Sequence, residues 1–147
     1  MDSSTATVAI DHNFETAHRL PHLPGKCVSL HGHSWWAEIT VTAPALDEDG
    51  MVIEFGPFKR AVRGWIDQHF DHGVLLGPDD PLIQPLRTEG CKVYVMPGWP
   101  TVEAVARHLA EQAEALLAEI PHAAGTRVTA VDVRETHVNR AGWRAAS

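Results

Sequence analysis

Cysteine is scarce in this sequence: only Cys27 and Cys91 occur in 147 residues. A disulfide framework is therefore not expected. Met1-Asp2-Ser3-Ser4 lacks the basic and apolar regions of a secretory leader, which makes a cytoplasmic protein the expectation. No apolar run approaches the roughly 20 residues a membrane helix needs, so no membrane partner is expected either. Basic residues are in deficit, with 12 Lys and Arg against 19 Asp and Glu and a formal net charge of −7. Nucleic-acid surfaces gather Lys and Arg to neutralise phosphates, and that surplus is missing here. A small anionic ligand remains compatible if basic groups gather locally. Repeats, low-complexity tracts and linkers are also absent. Residues 1–147 are read as one domain, long enough to bury its own core.

Histidine is what the chain has in excess. There are ten, and half of them lie between His12 and His33. Hydrophobic periodicity places them. From Thr7 to His18, Val8, Ile10, Phe14 and His18 share one face at period two, with Asp11, Asn13 and Glu15 opposite, which predicts a half-buried strand. Leu20–Leu30, with two prolines and a glycine, reads as a loop. A second strand, His31–Thr42, turns Ala37, Ile39 and Val41 inward, and His31 and His33 share that parity. Pro57 opens a helix with the stripe Phe58, Val62, Trp65, Ile66 and His69. Gly73–Gly98 is turn-rich, with room for a short strand at Lys92–Met96. Thr101 caps a second helix carrying Val102, Val105, Ala106, Leu109, Ala113, Leu116, Leu117 and Ile120, which Pro121 and Gly125 end. The last strand, Arg127–His137, puts Thr129, Val131, Val133 and Glu135 on one face and Val128, Ala130 and Asp132 on the other, with a short strand near Trp143 after it. The fold class is α+β: an antiparallel sheet covered on one face by helices.

Four groups of residues carry chemistry. In His31-Gly32-His33 the two imidazoles point to one side of a strand, and His18 ends the neighbouring strand on its apolar face. Three histidines leave one tetrahedral position open, the pattern of a catalytic zinc site; the alternative is ordinary strand-end histidines. Cys27, four residues before His31, suits a thiolate base or nucleophile, a fourth ligand or a packed thiol. Cys91 has no such neighbours and reads as structural. Asp71 beside His72 could orient and tune the imidazole, but adjacent side chains diverge on regular backbone. That pairing needs an irregular backbone; otherwise it is a solvated helix end. Glu135 on a core face needs hydrogen-bond donors, from a ligand or from Arg134 or Arg140. Glu103 reads as a helix-start charge.

Taken together these residues resemble the family of 6-pyruvoyl- and 6-carboxy-tetrahydropterin synthases. The likeness runs through Phe14-Glu15-Thr16-Ala17-His18-Arg19-Leu20, Cys27-Val28-Ser29-Leu30-His31-Gly32-His33-Ser34 and Gly50-Met51-Val52-Ile53-Glu54-Phe55. It continues in Phe70-Asp71-His72, Pro100-Thr101-Val102-Glu103 and Arg134-Glu135-Thr136. The resemblance implies that His18, His31 and His33 hold Zn2+, that Cys27, Asp71 and His72 form a proton-transfer triad, and that Glu135 anchors a small-molecule pterin. It implies the tunnelling fold (T-fold), an antiparallel four-stranded sheet with two helices on one face, inserted between its second and third strands. It also implies a homo-trimer or stacked homo-hexamer with the pocket between subunits. The short Cys27-to-His31 spacing resembles the bacterial carboxy-forming branch. That branch converts 7,8-dihydroneopterin triphosphate to 6-carboxy-5,6,7,8-tetrahydropterin, acetaldehyde and triphosphate, toward queuosine and other 7-deazapurines. A pyruvoyl product, cleavage of dihydroneopterin, or a non-catalytic zinc- or pterin-binding module are the alternatives. Three positions depart from the family pattern: Glu54 for the commoner Asp, Leu76 for Asn after Leu75, and Trp99 for Asn before Pro100. Leu76 and Trp99 are expected at the pocket rim.

Overall fold

Alternating apolar and polar residues set the two longest strands. In the computed structural model, which describes residues 4–147, β1 (Ala6–His18) and β2 (His31–Ala43) pair antiparallel in unbroken register, from Ala6 opposite Ala43 to His18 opposite His31. Residues 1–3, on which the expectation of no leader partly rests, lie outside the described residues. Ile10, Phe14, Thr16 and His18 of β1 are buried on the face where Trp35, Ala37, Ile39, Val41 and Ala43 of β2 are buried. Helix α1 (Phe55–His69) seats Phe58, Val62 and Ile66 in the same core. It begins two residues before Pro57, which stays in the first turn, where a backbone N–H has no intrahelical acceptor to lose. Two short strands follow, β3 (Gly73–Leu76) and β4 (Lys92–Val95), joined through a small helix α2 (Ile83–Thr88). Helix α3 (Val102–Leu117) is capped by Thr101, whose hydroxyl accepts the Ala104 N–H at 3.1 Å, and buries Val105, Ala106, Leu109, Ala110, Ala113 and Leu117. Strands β5 (Arg127–Arg134) and β6 (Arg140–Arg144) close the chain.

The sheet order is β4-β3-β1-β2-β5-β6. The expected four-stranded antiparallel unit is there as β1-β2-β5-β6, with α1 and α3 between its second and third strands. The sheet has six strands, however, because β3 adds parallel to β1 and β4 parallel to β3. Val74, Leu75 and Leu76 are all buried, so β3 carries no polar–apolar alternation by which to be seen in sequence. The last long strand also differs from expectation. It ends at Arg134 rather than His137, because the Glu135 N–H donates to the Asn139 carbonyl and residues 135–139 form a hairpin loop. A bulge near Thr129, where Thr40 pairs with Ala130 but Val41 with Val128, turns Val128 into the core beside Val131 and Val133 instead of opposite them.

At the centre of the core Phe14 stacks on Trp35 (5.8 Å between centroids, 11° between planes) and packs on Phe70. The buried Trp35 N–H donates to the Thr16 carbonyl at 2.9 Å, which fixes the ring beneath the histidine end of the sheet. Among the described residues no helix is long and apolar enough to cross a membrane.

Candidate metal centre and proton-transfer residues

Strand pairing brings the three histidines together. His18 stands opposite His31, and Thr16 opposite His33, so all three side chains leave the core face at one end of the β1–β2 pair. Their ring centroids lie 4.7 Å (His18–His31), 5.3 Å (His18–His33) and 4.9 Å (His31–His33) apart. Trp35 forms the floor, edge-on to His18 and His33. One nitrogen of each ring and a carboxylate oxygen of Glu135 all lie within 4.8 Å of one another. This is a metal-sized constellation of donors.

Hydrogen bonds fix the tautomers. His18 Nδ1 is 2.7 Å from the Pro100 carbonyl and His31 Nδ1 is 2.6 Å from the Ser29 carbonyl. A carbonyl only accepts, so both Nδ1 atoms carry the proton and both Nε2 lone pairs are free for a metal. Among the described residues the buried Nε2 atoms of His18 and His33 make no hydrogen bond and face the acceptor-only Glu135 carboxylate, which is costly unless a cation occupies the space between them. Burial lowers the pKa of His18, against the opposing pull of the Pro100 carbonyl and Glu135 and with help from the other two histidines. Burial likewise lowers that of His33, with Glu135 opposing. Both therefore favour the neutral form, the only one that ligates a metal. Zinc fits this donor set.

Asp71 and His72 follow α1. His72 has a left-handed backbone, φ 57°, and this is the irregular geometry that lets adjacent side chains converge. Its Nδ1 donates to Asp71 Oδ2 at 2.9 Å, while Asp71 Oδ1 accepts the Glu15 N–H at 2.9 Å. Burial raises the Asp71 pKa, but the Glu15 N–H, His72 and Lys92 outweigh it and hold the carboxyl below its ordinary value. The His72 ring is 78% exposed and thus open to a substrate or to another chain. Cys27 sits in a 3₁₀ turn (Lys26–Val28), half-buried and outside the group of potential metal donors. Among the described residues, no hydrogen bond or ion pair links Asp71 or His72 to the histidine cluster or to Cys27.

A profile of the 6-pyruvoyl tetrahydropterin synthase family matches residues 7–146. The chain belongs to that family. Like the tetrahydropterin synthases it groups with, it is a lyase of the α+β tunnelling-fold class. A protein of Rickettsia bellii named 6-carboxy-5,6,7,8-tetrahydropterin synthase is 42% identical over 98 residues, covering 65% of this chain and 71% of that one. An Aquifex aeolicus protein of the same name is 31% identical over 124 residues, covering 81% of this chain and 76% of its own. In fold, the chain matches a crystal structure of an uncharacterised Wolinella succinogenes protein (TM-score 0.79, 22% identity, 98% and 100% covered). The Caenorhabditis elegans 6-pyruvoyl tetrahydropterin synthase superposes with a TM-score of 0.69 at 19% identity, with 99% of each chain covered.

One ion pair near the cluster carries no local sequence signal. Arg19, next to His18, makes a bidentate pair with the fully buried Asp80, Nε and Nη2 each 2.7 Å from a carboxylate oxygen. The two residues are 61 positions apart and no local pattern joins them. Glu135, expected on the core face of the last strand, lies just beyond β5 at the start of the hairpin, and its Oε1 is 3.0 Å from His18 Nε2 and 3.2 Å from His33 Nε2 rather than against Arg134 or Arg140. Leu76 is fully buried in β3 and so is no part of an exposed rim. Trp99 is exposed at 43% and stacks on His22 (4.2 Å, 12°), one residue before the carbonyl that orients His18.

Proposed function

We propose that this chain is a zinc-dependent 6-carboxy-tetrahydropterin synthase, converting 7,8-dihydroneopterin triphosphate and water to 6-carboxy-5,6,7,8-tetrahydropterin, acetaldehyde and triphosphate, in the direction of queuosine and other 7-deazapurines. The observation that carries this reading is the gathering of one nitrogen each of His18, His31 and His33 within 4.8 Å of one another, with the His18 and His31 tautomers fixed by Pro100 and Ser29. Relatives named for the carboxy-forming reaction support that product. Zinc held by His18, His31 and His33 would polarise and acidify hydroxyls of the substrate side chain. Cys27, as thiolate, would take or return a proton on an adjacent side-chain carbon. His72 would relay protons, with its ring held and kept basic by Asp71 through the 2.9 Å contact. Glu135 would accept hydrogen bonds from the pterin's ring nitrogens and amino group.

The single domain would work as a homo-trimer or homo-hexamer. On its side of β1, β3 covers only Thr16–His18, so among the described residues Ala6–Glu15 has β2 on one side and no strand on the other, an edge that a second copy can cover. Assembly also supplies a route for the exposed His72 of one copy to reach the cluster of another. The decisive experiment incubates the zinc-loaded protein with dihydroneopterin triphosphate, assays acetaldehyde and weighs the pterin by mass spectrometry. A 6-carboxy-tetrahydropterin with stoichiometric acetaldehyde is expected. A stable pyruvoyl product without acetaldehyde would overturn the assignment.

A further inference from the structure

The Glu135 carboxylate stands against the histidine cluster. Its Oε1 lies 3.0 Å from His18 Nε2 and 3.2 Å from His33 Nε2, both buried and neither in a hydrogen bond. Two ligands each about 2.0–2.1 Å from one tetrahedral zinc ion stand about 3.3 Å apart. The carboxylate is therefore placed as a fourth corner of the donor set rather than beside it. Its side chain is only 15% exposed, so this corner is screened from bulk water.

The backbone beneath it is fixed. The Glu135 N–H donates to the Asn139 carbonyl, and Thr136 Oγ1 accepts the N–H groups of Val138 and Asn139. A closed hairpin with a three-torsion side chain at its start lets the carboxylate swing while the chain stays put. A cavity of about 460 Å³ adjoins it, lined by His33, Ser34, Trp36, Glu135 and Thr136 among others. Trp36, 45% exposed on the strand next to β5, offers an aromatic wall there.

We infer that Glu135 is a displaceable fourth ligand, closing the metal site while the adjoining cavity is empty and leaving it when a pterin enters. The inference rests on the zinc and pterin reading above and deepens it. With a metal held by the three histidines and the Glu135 carboxylate bound, the site would have no open position and one positive charge less, so hydroxyls of stray molecules would be neither held nor acidified. A pterin brings N–H donors that compete for the same oxygens. Once the carboxylate turned to them, the fourth position would open beside the bound ring, where a substrate side chain would lie. Ground-state recognition and metal activation are coupled through one side chain.

The test uses cobalt(II)-loaded protein, with azide as the probe of an open position and visible absorption as the readout. Azide should bind the wild type at least about tenfold more weakly than Glu135→Ala or Glu135→Gln, the scale on which ligand-shell changes alter metal sites. A dihydropterin lacking the side chain should raise azide affinity in the wild type toward that of the variants and leave the variants unchanged. Equal azide affinity in wild type and both variants would overturn the fourth-ligand role. A wild-type affinity untouched by the dihydropterin would overturn displacement. Failure of the wild type to bind cobalt at all would instead bring down the metal reading beneath it, so the two failures are distinguishable.

Discussion

Replacing Asp80 by alanine should destabilise the protein by about 3 kcal/mol. The carboxylate is fully buried, takes two charge-assisted hydrogen bonds of 2.7 Å from Arg19, and also accepts the Leu82 N–H at 2.9 Å. Removing one partner of a buried ion pair typically costs about 3–5 kcal/mol, because the remaining charge stays desolvated. Arg19 is 16% exposed and can recover some water, which puts the value at the low end. For a chain of this length that amounts to a fall in Tm of roughly 6–12 °C. Protein concentration must be held constant in the measurement, since assembly shifts Tm by mass action. The effect has a pH signature. Arg19 is the main cause holding the Asp80 carboxyl below its ordinary value; burial opposes it and the Leu82 N–H assists. A lowered native pKa contributes stability above the unfolded value, about 3.9, and loses it as pH falls through the native pKa. The gap between wild type and Asp80→Asn should thus be full above about pH 4 and close on further acidification. Replacing both partners, Arg19→Met with Asp80→Leu, should recover most of the loss. A Tm for Asp80→Ala within about 2 °C of wild type at pH 7 would refute the reasoning.

Three further outcomes are expected. His18→Ala, His31→Ala and His33→Ala should each strip zinc from the purified protein, and full occupancy in all three by elemental analysis would sink the ligand assignment. Cys27→Ala should retain zinc and fold yet lose turnover; loss of zinc as severe as in His31→Ala would recast the thiol as a ligand. Sedimentation should find a trimer or hexamer, and a compact, fully active monomer would contradict the intersubunit site.

Period-two alternation by itself makes the histidine site legible. His18 shares parity with Ile10 and Phe14, and His31 and His33 share it with Trp35 and Ile39, so a buried face carries its imidazoles with it. The two main helices are equally plain from their stripes and from the Thr101 cap. The Asp71–His72 pair poses a condition, irregular backbone, that the sequence can state but not satisfy; the φ of 57° at His72 satisfies it. Other features depend on which distant segments meet. Strand β3 is four residues buried without alternation, and its parallel place beside β1 follows from how α1 delivers it. The bulge near Thr129 changes which side Val128 faces, a shift of register that no propensity records. Arg19 finds Asp80 across 61 residues, and Glu135 leaves its strand at the hairpin to stand among the histidines. Local periodicity reports the face on which a side chain lies, because it follows from backbone geometry alone. Which faces and which charges then meet is decided by long-range packing, where burial forces every polar group to find a partner.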